Sequence, residues 1–493
     1  MALDARTPVI VGVGQLNQRT DDPAAAAEPV ELMAEAARLA ATDSGGGDVL
    51  RAIRSVRVVN LLSWPYRDPG VLVAERLGLE RPHTAYSEGG GQIVGTIVSR
   101  TATDIVRGDV DAVLIAGAEA WRTRTAVRRA GDALPWTQQP EGVAPDDVIG
   151  APLDMWHPAE LERGIRFPIQ VYPMFEHAFR ATLGRGVAEH RRRVAELWAR
   201  FSEVAVANPH AWDRERHTAA EIDDPGPGNR MVGFPYTKLL CSNERVDQAG
   251  AVIVCSVGRA EALGIPRDRW VFPHAYAEAR APLVSERVSL GDSPMVRAAG
   301  ETLWALSGAG PEDVAHVDLY SCFPSAVEVQ ATELGFGFDR DLTVTGGMRF
   351  AGGPWNDYPM HALASMVDRL RADPGTRGVV SANGGYISKL AIGLFSTEPP
   401  ASDFRAGSPK DALDAMPRRA VDEAPDGRAT VETYTVMHGR DGEPTEGFVG
   451  CITADDRRAW GHVTDADTLA AMTVDEMVGR KATLRPDGTA TLD

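Results

Sequence analysis

Three glycines, Gly89-Gly90-Gly91, stand directly ahead of a helical apolar pattern that begins at Ile93. Backbone N–H groups at a helix start can hold an anion or a carbonyl oxygen, so the run is a candidate binding element. Two further side chains offer acid, base or donor chemistry. His361 changes charge near neutral pH. Tyr320 carries a phenol able to donate to a developing oxyanion. Each also has a bland reading. His361 precedes an apolar-periodic stretch (Leu363, Met366, Val367, Leu370) and reads equally well as a cap or surface residue. Tyr320 reads as a buried tyrosine with one hydrogen bond. Cys322 lies in an apolar run, where a thiol is usually packed and inert. Asn383-Gly384-Gly385 has turn composition.

Other chemistries find no support in the spacing. The four cysteines, Cys241, Cys255, Cys322 and Cys451, form no CxxC pair, so neither a zinc ribbon nor a dithiol site is signalled. Gly12-Val13-Gly14 follows the first strand, but Asn17 stands where a dinucleotide fingerprint needs its third glycine. No Walker, HExxH or GxSxG motif occurs. Arg191-Arg192-Arg193 could meet phosphates, although a solvated helix face explains it as well. The net charge of −18 argues against a nucleic-acid partner. With 44% apolar and 24% charged residues, the composition is that of a globular protein with material for a large core. Apolar runs such as Ala112–Ala118 are far shorter than the roughly 20 residues of a membrane span. The start, MALDARTPVIVGVG, lacks a signal-peptide pattern, and few cysteines suit a reducing compartment, so a cytoplasmic location is expected.

The elements that must position these residues alternate along the chain. Val9–Gly14, Ser55–Leu62 and Asp111–Gly117 read as strands buried on both faces, with helices after Pro29, near Gly70–Leu77 and from Ile93 to Arg107. That pattern predicts an α/β protein with a largely parallel sheet. From about 121 to 238 the alternation stops, and one clear helix remains around Val194, Leu197, Phe201 and Val204. This stretch reads as an inserted, mostly helical loop domain. Alternation resumes at Ala251–Cys255 and runs to the strand Leu390–Phe395. Residues 401–425 read as a linker, and 426–493 as an all-β domain with strands at Thr430–Met437 and Gly447–Thr453.

Several segments, in order, resemble the thiolase superfamily. Gly89-Gly-Gly-Gln-Ile-Val-Gly, followed by Gly108–Gly117, resembles the loop, helix and strand that carry the thiolase nucleophile. Pro235-Tyr-Thr-Lys-Leu-Leu-Cys-Ser with Asp247-Gln-Ala-Gly-Ala resembles the segment re-entering the core after the loop domain. Asp318-Leu-Tyr-Ser-Cys-Phe-Pro-Ser is similar to the His-Asp-Cys-Phe segment of sterol-carrier-type thiolases, and Gly346–Pro354 to the Gly-His-Pro segment. The whole is most similar to the actinobacterial thiolase-like proteins of type 1, which add a small OB-like barrel. The resemblance implies two stacked βαβαβαββ halves in five α-β-α-β-α layers, with halves at 1–250 and 251–400 and an antiparallel barrel at 426–493.

The resemblance also fixes what is missing. The family's nucleophilic cysteine falls on Gly91, its Gly-His-Pro histidine on Gly353, and the opening residue of His-Asp-Cys-Phe on Tyr320. Without a thiolate there is no acyl-enzyme, so ordinary thiolysis is not expected. What the resemblance leaves is a candidate catalytic set of Tyr320, His361, Asn383, Tyr358 and Cys322. Gly89, Gly90, Gly91, Gly353 and Gly384 are its candidate substrate-binding positions. It implies an acyl-CoA thioester as substrate or ligand, no bound cofactor, no metal, and either a monomer or a homodimer. Three activities follow as alternatives: aldol-type carbon–carbon chemistry on acyl-CoA, silent binding of acyl-CoA or a partner, and the acetyl-CoA acetyltransferase activity of the superfamily.

Overall fold

The computed structural model describes residues 3–20, 22–23, 25–152 and 154–493. The strands Pro8–Asn17, Asp247–Ser256 and Ala112–Ala120 are long, apolar and buried on both faces. They pair antiparallel in that order and continue through the parallel strands Ser55–Val58, His83–Ser87 and Asp147–Ile149. Val9, Val11, Val56 and Val58 face the outer helix Pro29–Asp43, while Ile10, Val113, Ile115 and Val252 face the middle of the molecule. Each such side chain is worth roughly 1.5–3 kcal/mol of burial. The outer helix lies so close that a Cβ on Gly12 or Gly14 would strike the carbonyls of Ala40 and Ala36. That explains the glycine pair without any nucleotide.

A second sheet runs His316–Asp318, Arg377–Gly384, Lys389–Ser396, Phe272–Arg280 and Arg405–Gly407. Two helices, Ile93–Arg107 and Tyr358–Ala372, lie between the sheets and touch both. Pro29–Asp43 covers the outer face of the first sheet and Pro294–Ser307 that of the second. The result is the α-β-α-β-α layering of the thiolase fold. Strand Asp247–Ser256 spans residue 250 and belongs wholly to the first sheet.

Two features depart from expectation. The stretch 121–238 contains a further helix, Pro168–Thr182, buried along most of its length. Its Pro168 occupies the first turn, where a missing N–H costs nothing. The C-terminal strands form an antiparallel sheet in the order Arg458–Val463, Pro444–Thr453, Gly427–His438, Lys481–Leu484, Ala490–Leu492, but the expected barrel is not closed. Among the described residues a single bridge, His462 to Thr489, links its two ends. The sheet is instead extended by a strand from the loop domain: Met231–Phe234 pairs with Gly427–His438, setting Phe234 opposite Val436. Arg458, fully buried, ties the same sheet to the thiolase core through the carbonyls of Val284 and Ser285, each at 3.1 Å. Among the described residues no helix is long and apolar enough to cross a membrane.

Candidate functional site

A cavity of about 1690 Å³ opens between the two halves and the loop domain. It exceeds the usual small-molecule site and has room for an extended ligand. Its deep end is built from four segments. Gly90 and Gly91 precede the helix Ile93–Arg107, so the positive end of that helix's dipole points at the cavity. Tyr320, Cys322 and Phe323 come from the loop after strand His316–Asp318, Asn383 from the end of strand Arg377–Gly384, and Tyr172 from the helix Pro168–Thr182.

The Tyr320 loop is held rigidly. The Tyr320 N–H donates to Ser381 Oγ at 3.0 Å, Ser381 donates to Gln330 Oε1 at 2.6 Å, and Gln330 Nε2 returns to the Tyr320 carbonyl at 3.0 Å. The ring is thereby aimed at Gly91. A Cβ built on Gly91 would stand 2.7 Å from Tyr320 Cζ, nearer still to its hydroxyl and to the Asn383 carbonyl. The phenol therefore fills the space that a side chain at the helix mouth would need.

Around it stand further polar groups. Asn383 Nδ2 donates to Tyr172 Oη at 3.1 Å, and Tyr172 stacks on Phe323 with ring centroids 4.8 Å apart. Asn383 Oδ1 is buried and has no hydrogen-bond partner among the described residues, leaving an acceptor to be met within the cavity. Burial pushes the Cys322 thiol up to about 12, only partly offset by its hydrogen bond with Tyr172. Burial likewise drives the Tyr320 and Tyr172 phenols above their ordinary range. All three are neutral at physiological pH, able to donate and unable to attack as anions. Cys241, further out on the wall, is also raised to about 12 by burial.

The expected residues divide. Tyr320, Cys322, Asn383, Gly90, Gly91 and Gly353 line the cavity. Gly89 and Gly384 do not; Gly384 packs against Gln92. Tyr358 and His361 do not line the cavity, because the helix Tyr358–Ala372 is covered by a sheet on either side, although the Tyr358 ring packs edge-on against Tyr320 with centroids 5.7 Å apart. Tyr358 donates to the buried carboxylate of Asp318 at 3.0 Å and meets Thr345 Oγ1 at 2.8 Å. His361 Nδ1 meets Gln15 Oε1 at 3.0 Å, and burial lowers its pKa to about 3, so it stays neutral. Tyr172 was not foreseen; the prolines at 168 and 173 hide its helix in the sequence.

The rest of the lining has a different character. Among the described residues eight lysine and arginine side chains line the cavity against three carboxylates, in a chain of net charge −18. None is from the Arg191–Arg193 run. Arg191 pairs with Asp223 at 2.8 Å and Arg193 with Glu189 at 3.2 Å.

Residues 410–489 match the family described as the thiolase-like protein type 1 additional C-terminal domain. Over its whole length the chain is similar to a monomeric SCP2-thiolase-like protein type 1 from Mycobacterium smegmatis. The two are 32% identical with a TM-score of 0.86, and all of both chains is covered. The chain belongs to the SCP2-thiolase-like protein type 1 family. Other likenesses show the fold alone. The Ltp2-ChsH2(DUF35) aldolase is 20% identical with a TM-score of 0.61, covering 80% of this chain and 98% of that one. The peroxisomal thiolase of Saccharomyces cerevisiae is 13% identical with a TM-score of 0.54, covering 80% of this chain and 99% of that one. No curated protein matches the chain.

Proposed function

We propose that this SCP2-thiolase-like protein binds an acyl thioester of coenzyme A and acts on a carbon–carbon bond of aldol type without an acyl-enzyme. The single observation behind this reading is the Tyr320 phenol seated against the bare backbone of Gly91. An attacking sulfur has been replaced by a hydrogen-bond donor. The fold by itself does not choose, since thiolases and an aldolase share it.

In an aldol cleavage the Cα–Cβ bond of a β-hydroxyacyl thioester breaks and its electron pair moves into the thioester enolate. Tyr320 O–H and the helix dipole stabilise the enolate oxygen. The neutral Cys322 thiol protonates the α-carbon, and the proton released as the β-hydroxyl becomes a carbonyl restores the thiol. The ketone or aldehyde and a shortened acyl-CoA leave. A second reading, binding without turnover, is favoured by one observation: no histidine is among the described residues lining the cavity.

The purified protein is offered a β-hydroxyacyl-CoA, and separately a β-ketoacyl-CoA with free coenzyme A. Release of a carbonyl compound from the first, lost in Tyr320→Phe, is expected. Micromolar binding of both with no product supports the silent reading. Thiolysis at ordinary thiolase rates rejects the account of Gly91.

A further inference from the structure

The hairpin loop between strands Gly427–His438 and Pro444–Thr453 brings Arg440 to the wall of the main cavity. It reaches there because the C-terminal sheet and the loop domain share strands. Met437 lies opposite Gly233, and Thr435 Oγ1 donates to the Phe234 carbonyl at 3.0 Å. Arg230 Nη1 donates to the carbonyls of Met231 at 2.8 Å and Gly439 at 3.4 Å. Lys238 N–H in turn donates to the Arg230 carbonyl at 2.9 Å. Three cations, Arg230, Lys238 and Arg440, thus stand on one stretch of wall, two from the loop domain and one from the C-terminal domain. Among the described residues none of the three has a carboxylate within ion-pair distance. Asp213, a carboxylate on the same wall, is engaged by Arg349 at 3.4 Å. The loop's own acids, Asp441 and Glu443, do not line the cavity.

Uncompensated cations held together in an acidic protein repel one another, and a phosphate relieves that repulsion through charge-assisted hydrogen bonds. We infer that the C-terminal domain completes a phosphate-binding subsite, with Arg440 joining Arg230 and Lys238 on the phosphate groups of the cavity's ligand. The domain is then a wall of the binding site. This rests on reading the cavity as an acyl-CoA site, and the experiment separates the two.

The full chain and its Arg440→Glu and Arg440→Gln variants are titrated calorimetrically with coenzyme A, inorganic pyrophosphate and phosphate-free pantetheine. Arg440→Glu should weaken coenzyme A and pyrophosphate by about tenfold, Arg440→Gln by less, and pantetheine should be unaffected. The wild-type affinity for coenzyme A should also fall with salt more steeply than that of Arg440→Glu. Equal coenzyme A affinity in all three proteins overturns the subsite and leaves the acyl-CoA reading standing. Arg440-dependent pyrophosphate binding without coenzyme A binding keeps the subsite and rejects the acyl-CoA reading. No binding of either probe to the wild type rejects both. Arg440 is exposed on a hairpin, so unchanged melting of the variants confirms that they fold.

Discussion

Gly91 and Tyr320 compete for one volume. A Cβ at position 91 would sit 2.7 Å from Tyr320 Cζ, inside van der Waals contact, with the Asn383 carbonyl closing the other side. A side chain at position 91 and the Tyr320 phenol in its present place therefore exclude one another. Gly91→Ala is expected to destabilise the protein by about 1–3 kcal/mol, the usual cost of overpacking a filled site. Tyr320→Ala should absorb most of that cost when combined with it, giving a favourable coupling within the 0.5–3 kcal/mol range typical of touching residues. Denaturant midpoints of the two single variants and the double variant measure it. Simple additivity would show that the two positions do not share the space. By the same reasoning, Gly91→Cys alone should gain no thiolysis.

Tyr358 is expected to matter for stability and little for turnover. Its hydroxyl is one of several donors around the buried Asp318 carboxylate. The others are Thr343 Oγ1 at 2.9 Å, the Val344 N–H at 2.9 Å and Thr345 Oγ1 at 3.1 Å. Burial raises the Asp318 pKa, and these donors oppose that rise. Tyr358→Phe should cost about 1–3 kcal/mol by leaving the acid under-satisfied. Turnover or ligand affinity measured below the melting range should stay within about twofold. A large activity loss at unchanged stability would return Tyr358 to the catalytic set.

Much of this was legible in the residues, and the failures have physical causes. Long strands such as Ala112–Ala120 are continuous apolar runs because both their faces are covered, so they announce themselves. Phe272–Arg280 was not read as a strand because His274, Glu278 and Arg280 interrupt its small residues. The pairing of Gly91 with Tyr320 could be suspected from motif order, since the resemblance read from the sequence sets both at positions of the family's motifs. Which way Tyr358 and His361 turn could not be read. Their helix is buried on nearly every side, so it carries no polar face to mark a cavity. Arg440 was invisible for another reason: only tertiary pairing of the C-terminal sheet with Met231–Phe234 brings it to the cavity wall.

The C-terminal domain should not be separable from the core. Arg458 is fully buried, clasps Glu432 through Nε at 2.9 Å and Nη2 at 2.7 Å, and donates to core carbonyls. Trp460 Nε1 adds a hydrogen bond to Ser285 Oγ at 2.8 Å. Arg458→Ala leaves Glu432 and those carbonyls without their partner, a loss of about 3–5 kcal/mol for a broken buried pair. Thermal unfolding should remain one transition, shifted down. If the variant instead shows two transitions, with the core melting as before, the domain is an independent attachment.

Stability should decline above neutral pH, and the buried group of Glu176, His190 and Glu328 gives the reason. His190 Nε2 faces Glu176 Oε1 and lies 3.6 Å from Glu328 Oε2, with all three side chains nearly inaccessible. Burial alone would lower the imidazole's pKa, but the hydrogen bond and charge of Glu176, aided by Glu328, raise it to about 10. Burial and the nearby Glu176 carboxylate push Glu328 up, favouring its protonated form. For a group whose folded pKa is raised, the stabilisation is complete below the unfolded pKa and is lost as pH climbs through the folded value. The His190 contribution is therefore whole below about pH 6.5 and drains away between there and about 10. Glu328 loses its share earlier, above the ordinary carboxyl range. Unfolding midpoints from pH 5 to 10 should fall for the wild type. Glu328→Gln should flatten the early part of that fall and leave the late part. His190→Gln should remove the late part, at the cost of a lower midpoint throughout. A wild-type midpoint that stays level from pH 7 to 10 would mean that the imidazole is not held protonated between the two acids.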